Sequence, residues 1–281
     1  MAGYIDRGQG RWADSTKAFE RACNLDPENP LALIQLGYNY GSIRRYRDQK
    51  RIYDRLIALQ PDNQLLKLES AMIGFNEKAD LNQLRAALEA LPSALQNEPL
   101  MLVERVEFFV LSHEWMKARE LVRRTSSEEL PIWPDTMVPR LCMEIPIARY
   151  QGERPDTNPE FVESRDKLQQ KVREHPKDPF LLSFLGLTDS YLGRNQEAIA
   201  EAKSAANLLQ SDQLYGGFII SNLATVYAQT HETDLAFAVL NISIRIPQGI
   251  TYGTLKSDPG LDSLRADPRF DKLLAELAPK D

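Results

Sequence analysis

Apolar residues along this chain recur at helical spacing, and the helices they predict come in pairs with a long repeat. Gly3 and Gly37, Trp12 and Tyr46, Phe19 and Tyr53, and Pro27 and Pro61 are each 34 residues apart. Four aligned pairs at one interval mark a repeat architecture, in which each unit buries its apolar face only by stacking on its neighbours. In the second unit Leu33, Leu36, Gly37 and Tyr40 share one face of a first helix, with Tyr53 and Pro61 following on the second. Glycine lets two helices approach, large residues fill the groove beside it, and proline ends the second helix.

The C-terminal half repeats the theme. Leu182, Leu185 and Gly186 open one unit, Gly193 marks its turn, and Ala198, Ala202 and Ala205 line its second helix. Ile220, Leu223, Ala224 and Tyr227 open the next, followed by Ala236, Leu240 and Pro247; the two are offset by 38 residues, with the insertion expected around Ser211–Gly217. Between the halves the pattern predicts helix pairs at 64–76 with 80–91, 99–112 with 115–125, and 139–152 with 159–175, making about seven pairs in all. Gln49 and Arg105 stand where a small residue and a leucine are expected, which predicts looser packing there. Pro146 should bend its helix. The stretch 126–138, SSEELPIWPDTMV, carries two prolines and reads as a loop or kink. Near the end, Ser257–Pro259 and Asp267–Pro268 are helix-start signals, and Phe270, Leu273, Leu274 and Leu277 form one apolar stripe. That stripe predicts a helix capping the last repeat.

The second unit resembles the tetratricopeptide repeat pattern W-x₂-L-G-x₂-Y…A-x₃-F…P, and 34 residues is that family's period. The resemblance implies an all-α fold, a right-handed α-solenoid of helix pairs with a C-terminal capping helix. It divides the chain into N-terminal repeats (1–125), a loop or kink (126–138), C-terminal repeats (139–260) and a cap with tail (261–281), all in one continuous superhelix. The segments GQGRWADSTKAFERACNLDPENP, SYLGRNQEAIAEAKSAANLL and SDPGLDSLRADPRFDKLL resemble the tetratricopeptide region that ends many large bacterial signalling proteins, among them serine/threonine kinases, cyclase-like proteins and winged-helix regulators. In that register Met1 falls inside a first helix, which suggests a chain cut from a longer protein. The resemblance implies a non-catalytic scaffold that binds a protein or peptide in a groove lined by first helices.

Composition narrows the reading. A net charge of −6 argues against nucleic acid as a partner. No apolar run reaches the length of a membrane span, and the start lacks an apolar signal core. The expected compartment is the cytoplasm, or an extracytoplasmic space if the parent is a transmembrane kinase. Cys23 and Cys142 are too few and too far apart for a disulfide framework, and Cys23 reads as a core residue. His113, His175 and His231 lack metal-ligand spacing, and no cofactor motif occurs.

In family register the groove positions include Tyr4, Leu31, Ile34, Tyr38 and Ser42 in the N-terminal half, and Ser183, Leu187, Tyr191, Thr225 and Gln229 in the C-terminal half. Tyrosine suits such a surface, with a large contact area and little rotamer entropy to lose; the alternative is that these are partly buried packing residues. Tyr4, Tyr38 and Leu187 follow the first-helix glycines where carboxylate-binding relatives carry asparagine, so that chemistry is not expected. Arg44, Arg45, Arg47, Lys50, Arg51 and Arg55 form the densest basic run, readable as a site for an anionic partner or as a solvated second-helix face. Trp133-Pro134-Asp135 resembles a tyrosine-phosphatase acid loop but lacks its cysteine–arginine partner, and reads instead as a tight turn pinned by a buried tryptophan. Two further readings stand beside the scaffold. One is a sensor binding a small ligand between repeats, which an enclosed apolar pocket near 126–160 would favour. The other is an enzyme on a helical frame, which converging carboxylates or a His–Glu pair would favour. Self-association through the uncapped N-terminal repeat is expected as well.

Overall fold

The computed structural model describes residues 2–133, 136–209 and 214–279. Its helices run α1 (Ala2–Gly8), α2 (Trp12–Leu25), α3 (Pro30–Ser42), α4 (Tyr46–Leu59), α5 (Gln64–Lys78), α6 (Leu81–Glu89), the single-turn α7 (Ser93–Gln96), α8 (Pro99–Leu111) and α9 (Trp115–Arg124). Strands β1 (Glu129–Trp133) and β2 (Thr136–Pro139) follow, then α10 (Glu144–Tyr150), α11 (Pro159–Glu174), α12 (Pro179–Tyr191), α13 (Asn195–Leu208), α14 (Gly216–Gln229), α15 (Thr233–Ser243), α16 (Tyr252–Ser257) and α17 (Pro268–Leu277). Short 3-10 helices occupy Arg140–Met143, Pro155–Thr157 and Pro259–Leu264.

Local chemistry sets the ends of these helices. Several begin at an Asn or Asp followed by proline: the Asn29 side chain accepts from the Ala32 N–H at 3.1 Å, and Asp178 accepts from Phe180 and Leu181 at 2.8 and 3.1 Å. The carboxamide or carboxylate satisfies orphan N–H groups while proline supplies a helical φ without needing a partner. The turn inside each pair contains one residue in the left-handed region: Gly10, Arg44, Ala79, His113, Gly152, Gly193 and His231. The next N–H then returns to a carbonyl of the helix just ended, as in Arg11 to Asp6, Arg45 to Tyr40 and Glu114 to Phe109, each at 2.8 Å. This closure satisfies the helix C-terminus and turns the chain sharply enough to lay the second helix on the first. It recurs in the degenerate middle, so the pairs α8/α9 and α10/α11 keep the repeat geometry where the side-chain motif has faded.

The core is a relay of neighbouring clusters. Phe19, Leu33, Leu36, Tyr53 and Leu56 join the first units; Leu68, Phe75, Leu84 and Phe108 join the third to the fourth. Leu102, Ala118, Val122 and Ile147, then Ile145, Phe161, Leu168 and Leu185, carry it onward to the large C-terminal cluster around Ala224, Phe237, Leu240 and Phe270. Each fully buried leucine or phenylalanine contributes roughly 1.5–3 kcal/mol. As expected, α17 buries Phe270 and Leu273 and packs on α15, and Cys23 and Cys142 are buried and unbonded.

Four local expectations change. The 126–138 stretch is not a plain loop: β1 and β2 pair antiparallel, with Leu130 opposite Val138. Both are fully buried, Leu130 in the α8/α9 cluster and Val138 against Phe161 and Leu168, so the two strands bridge adjacent units. The prolines are tolerated because both strands of a two-stranded sheet are edges. Pro146 does not bend a helix; it lies in the first turn of α10, directly after the 3-10 segment, where its missing N–H has no role. Gln49 is accommodated by Gly41, since a Cβ on Gly41 would fall within 3 Å of the Gln49 amide. Trp133 is half-buried and stacks on Phe180 with centroids 4.8 Å apart, while Pro134, Asp135 and residues 211–213 of the expected insertion lie outside the described residues.

Candidate interaction groove

The expected groove positions on the first helices fall in two different surroundings. In the N-terminal half the face is open. Leu31 is 71% exposed, Tyr4 49% and Tyr38 36%, with Ile34 half-buried beside them. Arg7 fixes the two tyrosines. Its guanidinium lies 5.3 Å from the Tyr4 ring centroid and 4.6 Å from that of Tyr38, and it donates to Gln35 Oε1 at 2.7 Å and Asn39 Oδ1 at 3.1 Å. Asn39 in turn donates to Ser15 Oγ at 2.7 Å, and Ser15 to the Gly3 carbonyl at 2.7 Å. This network ties α1, α2 and α3 together behind the exposed rings. Nothing in the spacing of apolar residues signals Arg7, because a cation behind a tyrosine pair leaves no periodic trace.

The C-terminal half of the same face is filled by the chain itself. After α15 the backbone runs across these first helices from Ile246 through α16 to the 3-10 helix Pro259–Leu264, which packs on α14. Gln229 Nε2 donates to the Gly260 carbonyl at 2.6 Å, and Gly260 lies against Thr225 and the Tyr191 hydroxyl. Tyr191 is buried and shares a 2.5 Å hydrogen bond with the Tyr150 hydroxyl. Ser183 is buried and accepts from Asn222 Nδ2 at 3.0 Å, and Leu187 packs on the C-terminal cluster. Thus Ser183, Leu187, Tyr191, Thr225 and Gln229 occupy the predicted face but hold an internal strap or one another. The sequence reading stopped short of this strap because IPQGITYG, residues 246–253, has no helical apolar period and reads as a linker.

The strap also reaches the N-terminal half. The Gln248 N–H donates to the Ser42 carbonyl at 2.9 Å, and its side chain meets the Tyr38 and Ser42 hydroxyls. Arg44 donates to three carbonyls, Ile246 at 2.8 Å, Ile250 at 2.9 Å and Ser243 at 3.0 Å. Gly253 rests on the Phe75 carbonyl with no room for a Cβ. The array therefore curves until its second and third units meet the segment that follows its last pair. This removes Arg44 from the expected anionic-partner patch, since its guanidinium is committed to backbone oxygens. The rest of that patch is largely neutralised: Arg45 pairs with Asp48 at 2.6 Å, Arg51 with Asp48 at 3.3 Å, and Lys50 with Asp54 at 2.8 Å, leaving Arg47 exposed.

Acidic side chains gather near this closure. Glu104 and Glu107 on α8 share a cleft of about 120 Å³ with Phe75 and Thr254, Glu69 lies on the neighbouring α5, and no ion pair holds any of them among the described residues. Burial, then the charges of Glu107 and Glu69, pushes the Glu104 carboxyl up to about 8. Burial and the charge of Asp258 raise Glu107. Asp258 caps the 3-10 helix by accepting from the Gly260 N–H at 2.7 Å, and burial still pushes it up to about 6. An apolar cleft of about 180 Å³ opens beside Asp258, walled by Val110, Pro146, Tyr150, Phe184 and Leu187. Near the 126–160 irregularity a second cleft, about 260 Å³, is lined mainly by charged residues such as Glu128, Arg140 and Lys167. Among the described residues no group of His, Cys, Asp or Glu is placed to hold a metal ion, and no helix is long and apolar enough to cross a membrane.

Successive helix pairs, each closed by a left-handed turn and spaced 34 to 41 residues apart, define a tetratricopeptide-like α-solenoid. Solved structures similar to it include a tetratricopeptide repeat protein from Parabacteroides merdae ATCC 43184, with 12% identity over 98% of this chain and 95% of that one and a TM-score of 0.49. The TPR domain of P58(IPK) is 16% identical over 98% of this chain and 62% of its own, with a TM-score of 0.30. Yeast Tom70 is 10% identical over 98% and 67%, with a TM-score of 0.28. No family model matches the chain, and no curated protein does.

Proposed function

We propose that the chain is a non-catalytic protein-interaction module that binds an extended segment or helix of another protein on its concave face. The observation that carries this reading is the exposed row of Tyr4, Leu31 and Tyr38 in the N-terminal half, backed by Arg7 and touched by the strap only where Gln248 meets the Tyr38 hydroxyl. Aromatic rings held rigid by a cation behind them lose little entropy when a partner covers them. The resemblance of its end segments to the repeat regions of bacterial signalling proteins supports a role as the regulatory or assembly part of such a protein, in the cytoplasm. Selection of short peptides from a random display library tests the reading. Binders should be retained by the wild type and lost by Leu31→Asp and Tyr38→Ala; binders indifferent to both would remove the partner from this face.

A second reading has its own observation. The apolar cleft beside Asp258 involves Pro146 and Tyr150 of the irregular region, where a small-ligand sensor would place its site. Thermal-shift screening of small apolar amines, with Leu187→Trp filling the cleft as control, separates this from peptide binding.

A further inference from the structure

The closure between the two halves of the array is built differently from every other junction in the molecule. Each pair of successive units shares an apolar cluster, but among the described residues no cluster spans the seam where α3 and α5 meet the strap. The buried apolar side chains of the strap, Ile250, Leu255, Leu261 and Leu264, all belong to the C-terminal cluster. The clusters of α3 and α5 contain none of them. What crosses the seam is polar: the Arg44 clasp on three carbonyls, the Gln248 contacts with Ser42 and Tyr38, and backbone-to-backbone packing of Gly253 on Phe75. The charge of Asp258 also opposes that of Glu107 across the seam, with Arg265 on the strap side drawing Asp258 the other way.

A junction without a shared core separates at far lower cost than one that must expose apolar surface. The strap also shows what the α3/α5 face recognises. Arg44 reads the carbonyls of an extended backbone, Ser42 accepts one N–H, and Phe75 admits only a glycine opposite its carbonyl. That is recognition of an extended, glycine-containing segment mainly through its main chain.

We propose that the α3/α5 face is a peptide site whose resident ligand is residues 246–257 of the same chain, and that an external extended, glycine-containing segment binds by displacing it. The proposal rests on the reading of the chain as an interaction module and names how access to its groove is controlled. In the closed state Tyr4 and Leu31 stay exposed and the Tyr38 hydroxyl is held by Gln248; release of the strap frees Tyr38 and extends the available face through Ser42 and Phe75. The strap keeps its own apolar anchorage when released, so it swings away with α14 and α15 as a unit and does not unfold.

The test leaves the α3/α5 face intact and alters only the strap. Gly253→Ala places a methyl group against the Phe75 carbonyl, and a fluorescent synthetic peptide of residues 246–257 is then offered to the full-length chain. Hydrogen exchange in the variant should rise at Gln248 and along the 246–257 and α5 segments by about ten- to a hundredfold, the effect of losing hydrogen bonds to a charged group, with α12–α15 unchanged. The peptide should bind the variant saturably. It should bind the wild type at least about tenfold more weakly, because a tethered strap competes at roughly millimolar effective concentration. Adding Arg44→Ala to the variant should abolish binding. Three results overturn the proposal: unchanged exchange at the seam, a rise shared equally by all units, or an opened seam that takes no peptide. Peptide binding here with no partner selected on the Tyr4–Leu31–Tyr38 row would leave the self-ligand standing and remove the external-partner reading instead.

Discussion

The main-chain N–H of Gln248 donates to the carbonyl of Ser42 at 2.9 Å, joining residues 206 positions apart in sequence. With the Arg44 clasp and the Gly253 contact on Phe75, this bond crosses the seam and reports whether the molecule is open or closed. The same seam sets Glu107 against Asp258, which makes closure sensitive to pH.

The direction of that sensitivity follows from the shifts. Glu69 on α5, Glu104 and Glu107 on α8, and Asp258 in the strap all have raised pKa values, with burial the leading cause in each; Asp262 adds repulsion at Asp258, and Arg265 opposes it. A carboxyl with a raised pKa in the closed form holds its proton more tightly there than in the open form, so lowering the pH favours closure. The charge interaction that crosses the seam is that between Glu107 and Asp258, so closure should weaken as the pH rises and Asp258, pushed up to about 6, faces an ionised Glu107. Exchange of the Gln248 amide, corrected for its intrinsic pH dependence, should show protection falling from pH 5 to 9, whereas Glu107→Gln should flatten the profile. Protection that increases with pH would contradict this account.

Deeper in the fold, Arg165 and Asp189 form a buried two-bond pair at 2.7 and 2.6 Å, linking α11 to α12 with both side chains essentially inaccessible. Removing one partner strands a charge. Asp189→Ala should therefore cost about 3–5 kcal/mol, while the paired change Arg165→Met with Asp189→Leu should recover most of it. Urea unfolding of the three variants checks the comparison, and equal losses for single and double changes would show that packing, not the stranded charge, dominates.

His231 has φ 64° in the turn between α14 and α15. A side chain there pays a steric cost that glycine avoids, so His231→Gly should stabilise the chain by about 0.5–1 kcal/mol, seen as a higher unfolding midpoint. The same change at Ser190, which has no positive φ and lies within α12, should destabilise.

Gly41 and Gln49 should behave as a coupled pair. Gly41→Ala alone drives a methyl group into the Gln49 amide and should cost about 1–3 kcal/mol. Gln49→Ala removes a buried carbonyl oxygen that has no hydrogen-bond partner in the structure and should cost little. The double change should be close to Gln49→Ala by itself, and a double-mutant cycle in thermal unfolding measures the coupling.

The sequence disclosed most of the fold because repeat packing is local. A glycine and its large neighbours 16 or so positions later settle how one pair closes, as Gly3 against Phe19 and Gly37 against Tyr53 do, and each left-handed turn is decided within a few residues. The exposure of Tyr4 and Leu31 has the same local origin, since their register on α1 and α3 turns them away from the core.

The rest depends on curvature accumulated over many units, which no single repeat encodes. Whether Tyr191, Thr225 and Gln229 meet a partner or Gly260 is decided only when the strap returns across the first helices. Whether Arg44 serves an anion or three carbonyls depends on where residues 243–250 arrive. The sequence by itself determined the helix pairs, their turns and the cap, because those rest on contacts between near neighbours. Tertiary structure alone decided the closed seam and the meeting of Glu107 with Asp258, because small rotations at each successive junction add up to bring residues some 200 positions apart into contact.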